Sequence, residues 1–409
     1  MWGKRKNKFS MSAVAALTFS SACALVVLPA AASDSSASGS GLSAAPSASP
    51  SSGASTAQAY RIETLASGLD HPWSIAFLPD GSKLVTERVG RLRLIDADGK
   101  LVDAPIKNTP FEYVATQAGL MDVAVDPNFA DNAFIYLTYA YGEEAANNTR
   151  LVRAVYRDGA LSDITTLFDA LPAKVGGSHY GGRIAFLPDE TLVLTLGDGF
   201  DHREQAQNLS NHLGKTIRIN RDGSIPADNP FVGKDGAKPE IYSLGHRNAQ
   251  GIVYDPSSQR LFVNEHGPKG GDELNLITPG TNYGWPIASY GLDYTGARVT
   301  PYTTWFGMED PLLHWTPSVA PSGMALYAGT LFPEWQGDLF VSTLVEQSVR
   351  RVEMADGVPT GQQSVLFESA DARIRDVRSG PDGALYLLTD ASDGKVLRVV
   401  PASAAGQKP

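Results

Sequence analysis

Six segments of this chain repeat one design: a short apolar strand, a Pro/Asp/Gly turn and a second apolar strand. They begin near Trp73 (WSIAFLPDG, then KLVTE), Gly119 (GLMDVAVDP, FIYLTY), Gly182 (GRIAFLPDE, LVLTLGDG), Gly251 (GIVYDP, RLFVNEHG), Gly323 (GMALYAG, DLFVST) and Asp376 (DVRSGPDG, LYLLTD). The starts lie about 45–70 residues apart, room for four strands and a variable loop, and such a period points to a propeller or another repeat array. No long stretch after residue 60 has a helical period. Runs of Val, Ile, Leu, Tyr and Phe alternate with Gly, Pro, Asp and Asn turns, so the chain is all-β. The expected fold is a six-bladed β-propeller, with YRIETLA (60–66) and KVLRVVP (395–401) sharing one blade and closing the ring. A β-helix would repeat over far fewer residues, and a β-sandwich would not carry one two-strand signature six times. The recurring Gly and Asp-Gly positions are structural, serving close strand approach and tight turns.

Not all of the 409 residues belong to that repeat. Lys4, Arg5, Lys6 and Lys8 precede an apolar run that ends in Ala30-Ala31-Ala32, the pattern of a secretory signal peptide over residues 1–32. The run is short and interrupted by Ser, which disfavours a membrane anchor. Cys23, the only cysteine, lies inside it, and Ser20-Ser21-Ala22 before it disfavours lipidation. The mature chain then has no thiol for disulfides or metals. Residues 33–59 are nearly all Ser, Ala, Gly and Pro, a flexible leader. The propeller is expected over 60–401, with 402–409 as a flexible tail. The formal charge is −10 and becomes −14 without the signal, so an exported, periplasmic or secreted, acidic protein is expected, not a nucleic-acid binder. No segment of the mature chain is apolar enough to span a bilayer.

Just ahead of the first strand, four modules carry polar residues: Gln117, His179, Arg247 with Asn248, and Arg373 with Arg375. In a radial array these positions converge at the mouth of the central channel, together with Gln250. Several arginines around one imidazole suit a ligand with carboxylates or phosphates, which guanidinium binds bidentately. His179, in GGSHYGGR, is the candidate general base, its cationic neighbours keeping the imidazole neutral. His71, His246, His266 and His314 have no comparable placement, and no pair of histidines has zinc-site spacing. The segment Glu265–Glu273 (EHGPKGGDE) joins turn carbonyls to carboxylates, an oxygen-rich set that suits Ca²⁺ or, equally, a polar loop capping its own amides. Two glycosylation sequons, at Asn147 and Asn208, are read as incidental.

Joined motifs over residues 60–401 give the chain a family resemblance. QAGLMDVAVDP, SHYGGRI, GHRNAQG, NEHGPKGGDELN, NYGWP, WTPSVAPSGM and RIRDVRSGPDG together resemble the soluble, exported quinoprotein aldose (glucose) dehydrogenases, which use pyrroloquinoline quinone (PQQ). The compact layout is closer to the broad-specificity aldose sugar dehydrogenases than to the larger glucose enzymes. The resemblance implies a set of roles. His179 would take the proton of the sugar C1 hydroxyl while hydride passes to the quinone C5, and Arg247 and Asn248 would contact the quinone oxygens. Arg373 and Arg375 would bind cofactor carboxylates, and Gln117 would lie by substrate or cofactor. The carbonyls of Gly267 and Pro268 would hold the Ca²⁺ that polarises the quinone, and Glu273 and Tyr283 match a second, structural Ca²⁺ site. Asp198 would support His179. Electrons would leave to an external acceptor.

The chain departs from the family at two positions. Val345, followed by Glu346, stands where relatives commonly carry a cofactor-contacting Lys, and Ser178 stands where the glucose enzymes carry Asp. The first bears on cofactor affinity and the second on sugar preference. Two other functions fit a propeller: a Ca²⁺-dependent lactonase, which would need carboxylate ligands around an axial metal, and a non-catalytic module binding a carbohydrate or a partner.

Overall fold

A computed structural model describes residues 59–403. The expected signal (1–32), with Cys23, lies outside them, as do most of the 33–59 leader and residues 404–409. Six antiparallel sheets account for almost all of the regular structure. The first blade comprises Pro72–Phe77, Lys83–Glu87 and Arg91–Ile95. The second is built from Leu120–Val125, Phe134–Glu143, Ala146–Arg157 and Ala160–Asp169. The third follows with Gly181–Phe186, Thr191–Leu196, Lys215–Asn220 and Ile241–Leu244. Ala249–Asp255, Arg260–Glu265, Asp272–Ile277 and Leu313–Trp315 form the fourth. Pro321–Leu326, Leu339–Thr343, Val349–Ala355 and Val358–Leu366 form the fifth.

The sixth blade closes the ring. Ile374–Ser379, Leu385–Thr389 and Gly394–Pro401 are joined by the N-terminal strand Tyr60–Leu69, which pairs with Gly394–Pro401 in the register Tyr60↔Pro401 and Thr64↔Leu397. This is the closure expected from the sequence, and the fold is the expected six-bladed propeller. Each module start falls within two residues of an observed first strand. Those six strands are innermost and pack on one another in cyclic order. Among the described residues no helix is long and apolar enough to cross a membrane.

The alternation of the strands gives every blade two apolar faces, and each face packs on the next blade. Ala76, Leu84 and Leu92 meet Val123, Ile135 and Leu137 between the first two blades. Ile75 and Val85 meet Tyr386, Leu388 and Val396 where the sixth blade returns to the first. Similar clusters fill the four intervening seams. The core is therefore distributed around the ring, and the axis is left to polar groups.

On the axis lies a buried ion network. Arg183, 1 % exposed, places Nη1 3.1 Å from Asp376 and 3.5 Å from Asp122. Arg378 reaches the same two carboxylates at 3.0 and 3.2 Å. Ser74 Oγ donates to Asp122 at 2.5 Å, Arg183 Nε donates to the carbonyl of Gln250 at 2.9 Å, and Nη2 donates to that of Arg375 at 3.2 Å. Ser322 Oγ donates to the carbonyl of Arg375 at 2.7 Å. Every blade thus contributes to one connected set. Gly323 shows how tight the axis is: a Cβ there would stand 1.9 Å from Asp376 Oδ1. Removing one partner of a buried ion pair strands the others without compensation. Arg183→Met is expected to lower the unfolding free energy by about 3–5 kcal/mol in a denaturant titration. A loss within the noise of that titration would show that the network does not hold the blades.

Candidate active site

Antiparallel hairpins place the residue ahead of each first strand beside the end of the second. That geometry builds the site at one mouth of the channel. His179 sits at the entry to the third blade in the left-handed region (φ 56), sparsely populated for residues other than glycine, and is 3 % exposed. Its backbone N–H donates to Gln117 Oε1 at 2.8 Å, so the loop before the second blade fixes its position. Its Nδ1 lies 2.7 Å from Asp198 Oδ1, at the end of the neighbouring strand. Asp198 is in turn held by Trp285 Nε1, which donates to Oδ2 at 2.8 Å, and by the N–H of Phe200, which donates to Oδ1 at 2.8 Å. With a carboxylate on Nδ1, that nitrogen carries the proton and Nε2 is left as the acceptor. Phe200 packs edge-on against the ring at 5.0 Å. Burial first, then the charges of Arg247 and Lys174, outweigh Asp198 and hold the imidazole below its ordinary pKa. The sequence reading credited the cations alone; burial is the larger cause.

Next to this pair lies an open cavity of about 720 Å³, lined by Tyr180 and Gly181, which follow His179, and by the Gln117 that holds it, but not by His179 or Asp198 themselves. Gln117, Asn248, Gln250, Arg373 and Arg375 line it, so most of the expected ring does converge. Arg373 and Arg375 share Asp390, at 3.3 and 2.8 Å. Burial alone would raise the Asp390 carboxyl, but Arg375, Arg373 and Arg88 overcome it and hold it below the usual range. Asn248 Oδ1 accepts from the N–H of Gly181 at 3.3 Å, keeping the entry of the third blade against the fourth. Arg247 lies to one side, lining a second open hollow of about 750 Å³ with Pro268, Trp285, Phe200 and Tyr294. Its Nη1 donates to the carbonyls of His266 and Gly267 at 3.1 and 2.6 Å. Its backbone N–H donates to Glu265 Oε2 at 2.5 Å, and His246 Nδ1 lies 2.8 Å from Glu265 Oε1.

The expected calcium residues separate into two places. Gly267 lies beside Arg247, its N–H donating to Asp272 Oδ1 at 2.9 Å. The other oxygen of Asp272 accepts from Ser318 Oγ and from the N–H groups of Val319 and Ala320 at 2.7–2.9 Å, clasping the GPKGG turn to the entry of the fifth blade. Glu273 lies on the other face of that strand, near Glu265, Asp272 and Asp310, and burial followed by the charge of Glu265 holds its carboxyl well above the ordinary range. The Tyr283 hydroxyl is engaged elsewhere, donating to the carbonyl of Leu276 at 2.5 Å and accepting from the N–H of Thr278 at 2.9 Å. Among the described residues no group of three or more His, Cys, Asp or Glu side chains is gathered as a metal site.

Several cavity residues escaped the sequence reading. Trp73 forms part of the lining, with Arg183 stacked 3.9 Å from its ring, so the axial network supports the cavity from below. His266 also lines the cavity, its Nε2 buried without a partner; burial and the charges of Arg247, His179 and Arg375 push its pKa down to about 3. Asp390 and Arg88 complete the set. A signal for the acidic partners was present. The second strands of four modules end in a carboxylate, Glu87, Asp198, Glu265 and Asp390. Each of the last three holds a site residue that precedes its own module's first strand, and Asp390 also holds Arg375 within that strand.

Orphaned polar atoms bear on what the cavity takes. Arg375 Nε, like His266 Nε2, is buried and unpartnered, and several cationic side chains face one acidic one. A planar ligand with several carboxylates and carbonyl oxygens fits such a lining in charge and in donor type.

Comparison with known proteins agrees with this geometry. Residues 69–398 match the family described as Glucose / Sorbosone dehydrogenase. The chain is 40% identical over 346 residues to aldose sugar dehydrogenase YliI of Escherichia coli (strain K12), across 83% of this chain and 92% of that protein. The crystal structure of the soluble aldose sugar dehydrogenase from Escherichia coli in the apo-form superposes with a TM-score of 0.79 at 38% identity, over 84% of this chain and 99% of the other. The PQQ-bound aldose sugar dehydrogenase from Streptomyces coelicolor superposes with a TM-score of 0.68 at 28% identity, over 84% and 98%. With the propeller, the joined motifs and these likenesses in agreement, the chain belongs to the glucose/sorbosone dehydrogenase family.

Proposed function

We propose that the protein is an exported quinoprotein that oxidises the C1 hydroxyl of aldoses to lactones, with PQQ as its cofactor and Ca²⁺ as its metal. The observation that carries this reading is the His179–Asp198 pair tied through Gln117 to the lining of an arginine-rich cavity. Similarity to aldose sugar dehydrogenases, one of them PQQ-bound, supports it. PQQ, when bound, supplies the electrophilic carbonyl carbon that accepts the hydride equivalent from C1.

The chain's own residues do the rest. His179 Nε2 takes the proton of the C1 hydroxyl, so that loss of that proton and of the C1 hydride leaves the lactone carbonyl. Asp198 accepts a hydrogen bond from Nδ1–H, orients the ring and stabilises the imidazolium while staying ionised. Gln117 sets the backbone of His179, and Trp285 keeps Asp198 from turning. Arg373 and Arg375 would hold carboxylates of the cofactor, and Asn248, with Arg247 from the adjoining hollow, would meet its carbonyl oxygens, where guanidinium donors stabilise developing negative charge. The carbonyls of Gly267 and Pro268 are donors of the kind Ca²⁺ takes. Glu273 with Tyr283 would hold the second Ca²⁺, whose charge would relieve the crowding of carboxylates around Glu273. Residues 1–32 supply the export signal. The lactonase alternative needs free axial carboxylates, whereas Asp122 and Asp376 are both taken by Arg183 and Arg378.

Reconstitution tests the reading. Purified chain incubated with PQQ and Ca²⁺ is expected to reduce a dye acceptor with glucose or another aldose, and silence across an aldose panel would refute the dehydrogenase assignment. His179→Ala is expected to lower kcat by about 10²- to 10⁴-fold while leaving PQQ binding intact; an unchanged kcat would remove His179 from the chemistry. A neutral His179 is the active form, so the rate should rise with pH and level off, its acid limb below the ordinary histidine value. Asp198 favours the protonated ring, so Asp198→Asn should move that limb to still lower pH as the plateau falls. A limb that stays or moves upward contradicts the pairing. For the metal, Ca²⁺ is expected to raise the melting temperature of the unaltered chain more than that of Glu273→Gln; an equal rise in both would place the second calcium elsewhere.

A further inference from the structure

The cavity holds one arginine that neither the motifs nor the family roles account for. Arg88 follows the second strand of the first blade and lines the cavity with Gln117, Arg373 and Arg375. Its backbone is held from both sides: its N–H donates to the carbonyl of His71 at 3.1 Å, and its carbonyl accepts from the N–H of Leu120 at 3.1 Å. Gly119 permits this contact, since a Cβ there would stand 2.0 Å from the Arg88 carbonyl oxygen. The side chain is braced by one bond, Nη1 donating to the carbonyl of Thr116 at 2.5 Å.

The charge around it is unbalanced. Arg91 and Arg93, on the next strand, take up Glu87, and Arg373 and Arg375 take up Asp390. No carboxylate among the described residues pairs with Arg88. Its charge is nonetheless felt by Arg375, whose pKa burial lowers first and Arg373 and Arg88 lower further. Three guanidinium groups therefore share one wall with one carboxylate. Like charges held together in a partly desolvated cavity are unfavourable unless an anion completes them. Leu344 and Val345 stand beside Arg373, whose Nη1 donates to the Leu344 carbonyl at 3.2 Å; Val345 is 62 % exposed and uncharged, while Glu346 is turned to Arg350 at 2.5 Å.

We infer that Arg88 is a carboxylate-binding residue of the cofactor cavity, and that in this chain the first blade supplies the cation that position 345 lacks. Together with Arg373 and Arg375 it forms a three-arginine cradle for a ligand with more than one carboxylate. Asp390 keeps two of the guanidinium groups oriented, and Thr116 keeps the third. The inference rests on the quinoprotein reading, since it takes PQQ as the polycarboxylate.

An absorbance titration of the full chain with PQQ in the presence of Ca²⁺ tests it without recourse to turnover. Arg88→Gln, which removes the charge and keeps a polar amide, is expected to raise the Kd for PQQ by about 10- to 100-fold. Arg88→Lys should recover part of the loss, and adding Val345→Lys to the Arg88→Gln chain should do the same by returning a cation to the cavity lining. Thermal melts run beside each titration confirm that the variants are folded, and Arg88→Met serves in place of Arg88→Gln should the latter melt early. A folded Arg88 variant that binds PQQ as tightly as the unaltered chain overturns the inference while leaving the quinoprotein reading in place. An unaltered chain that does not bind PQQ at all overturns both.

Discussion

Arg183 is the residue on which the arrangement depends most directly. A ring of six sheets can bury its apolar side chains only between neighbouring blades, so the axis must be filled by groups that satisfy one another. Arg183 does this with Arg378, Asp122 and Asp376, and its remaining N–H groups reach carbonyls of the fourth and sixth blades. Two cations and two anions, three of the four side chains almost fully buried, form a set that tolerates no single deletion. The same contacts fix two carbonyls that belong to cavity-lining residues, Gln250 and Arg375. Fold and site are thus joined at one side chain.

Above that floor the site is organised by hairpin geometry. The end of each second strand comes alongside the entry to its first, and a carboxylate at that end can hold whatever precedes the first strand. Asp198 holds His179, Glu265 accepts directly from the backbone N–H of Arg247 while its other oxygen meets His246, and Asp390 holds Arg373 and Arg375. One device used three times gives three different results: an oriented imidazole, a fixed backbone and a cationic wall. The proposed removal of hydride and proton would need all three kinds of order before substrate arrives, since preorganised charge is what distinguishes such a site from solvent.

The repeat made the fold legible because turn and strand signals recur six times, and each recurrence constrains the others. The ring of Gln117, His179, Asn248, Arg373 and Arg375 was legible for the same reason, as departures from a common pattern. Trp73 was not, because an apolar residue at the start of an apolar strand carries no mark of facing a cavity. His266 was passed over because its turn looked like a loop; only the packing of the fourth blade against the fifth shows that its Nε2 is buried beside three cationic or basic groups. Arg88 was hidden by its neighbours, since Glu87 offers an obvious partner that the structure gives to Arg91 and Arg93 instead. The cause of the neutral His179 also needed the structure, because burial cannot be read from flanking glycines.

A crystal structure of the chain loaded with PQQ, Ca²⁺ and an aldose bears most directly on this site. The expected result places the quinone in the cavity with its carboxylates on the arginines of the first and sixth blades, and the sugar C1 oxygen about 2.6–3.2 Å from His179 Nε2. A quinone bound away from that cavity, or a sugar whose C1 oxygen lies beyond reach of His179, would contradict it.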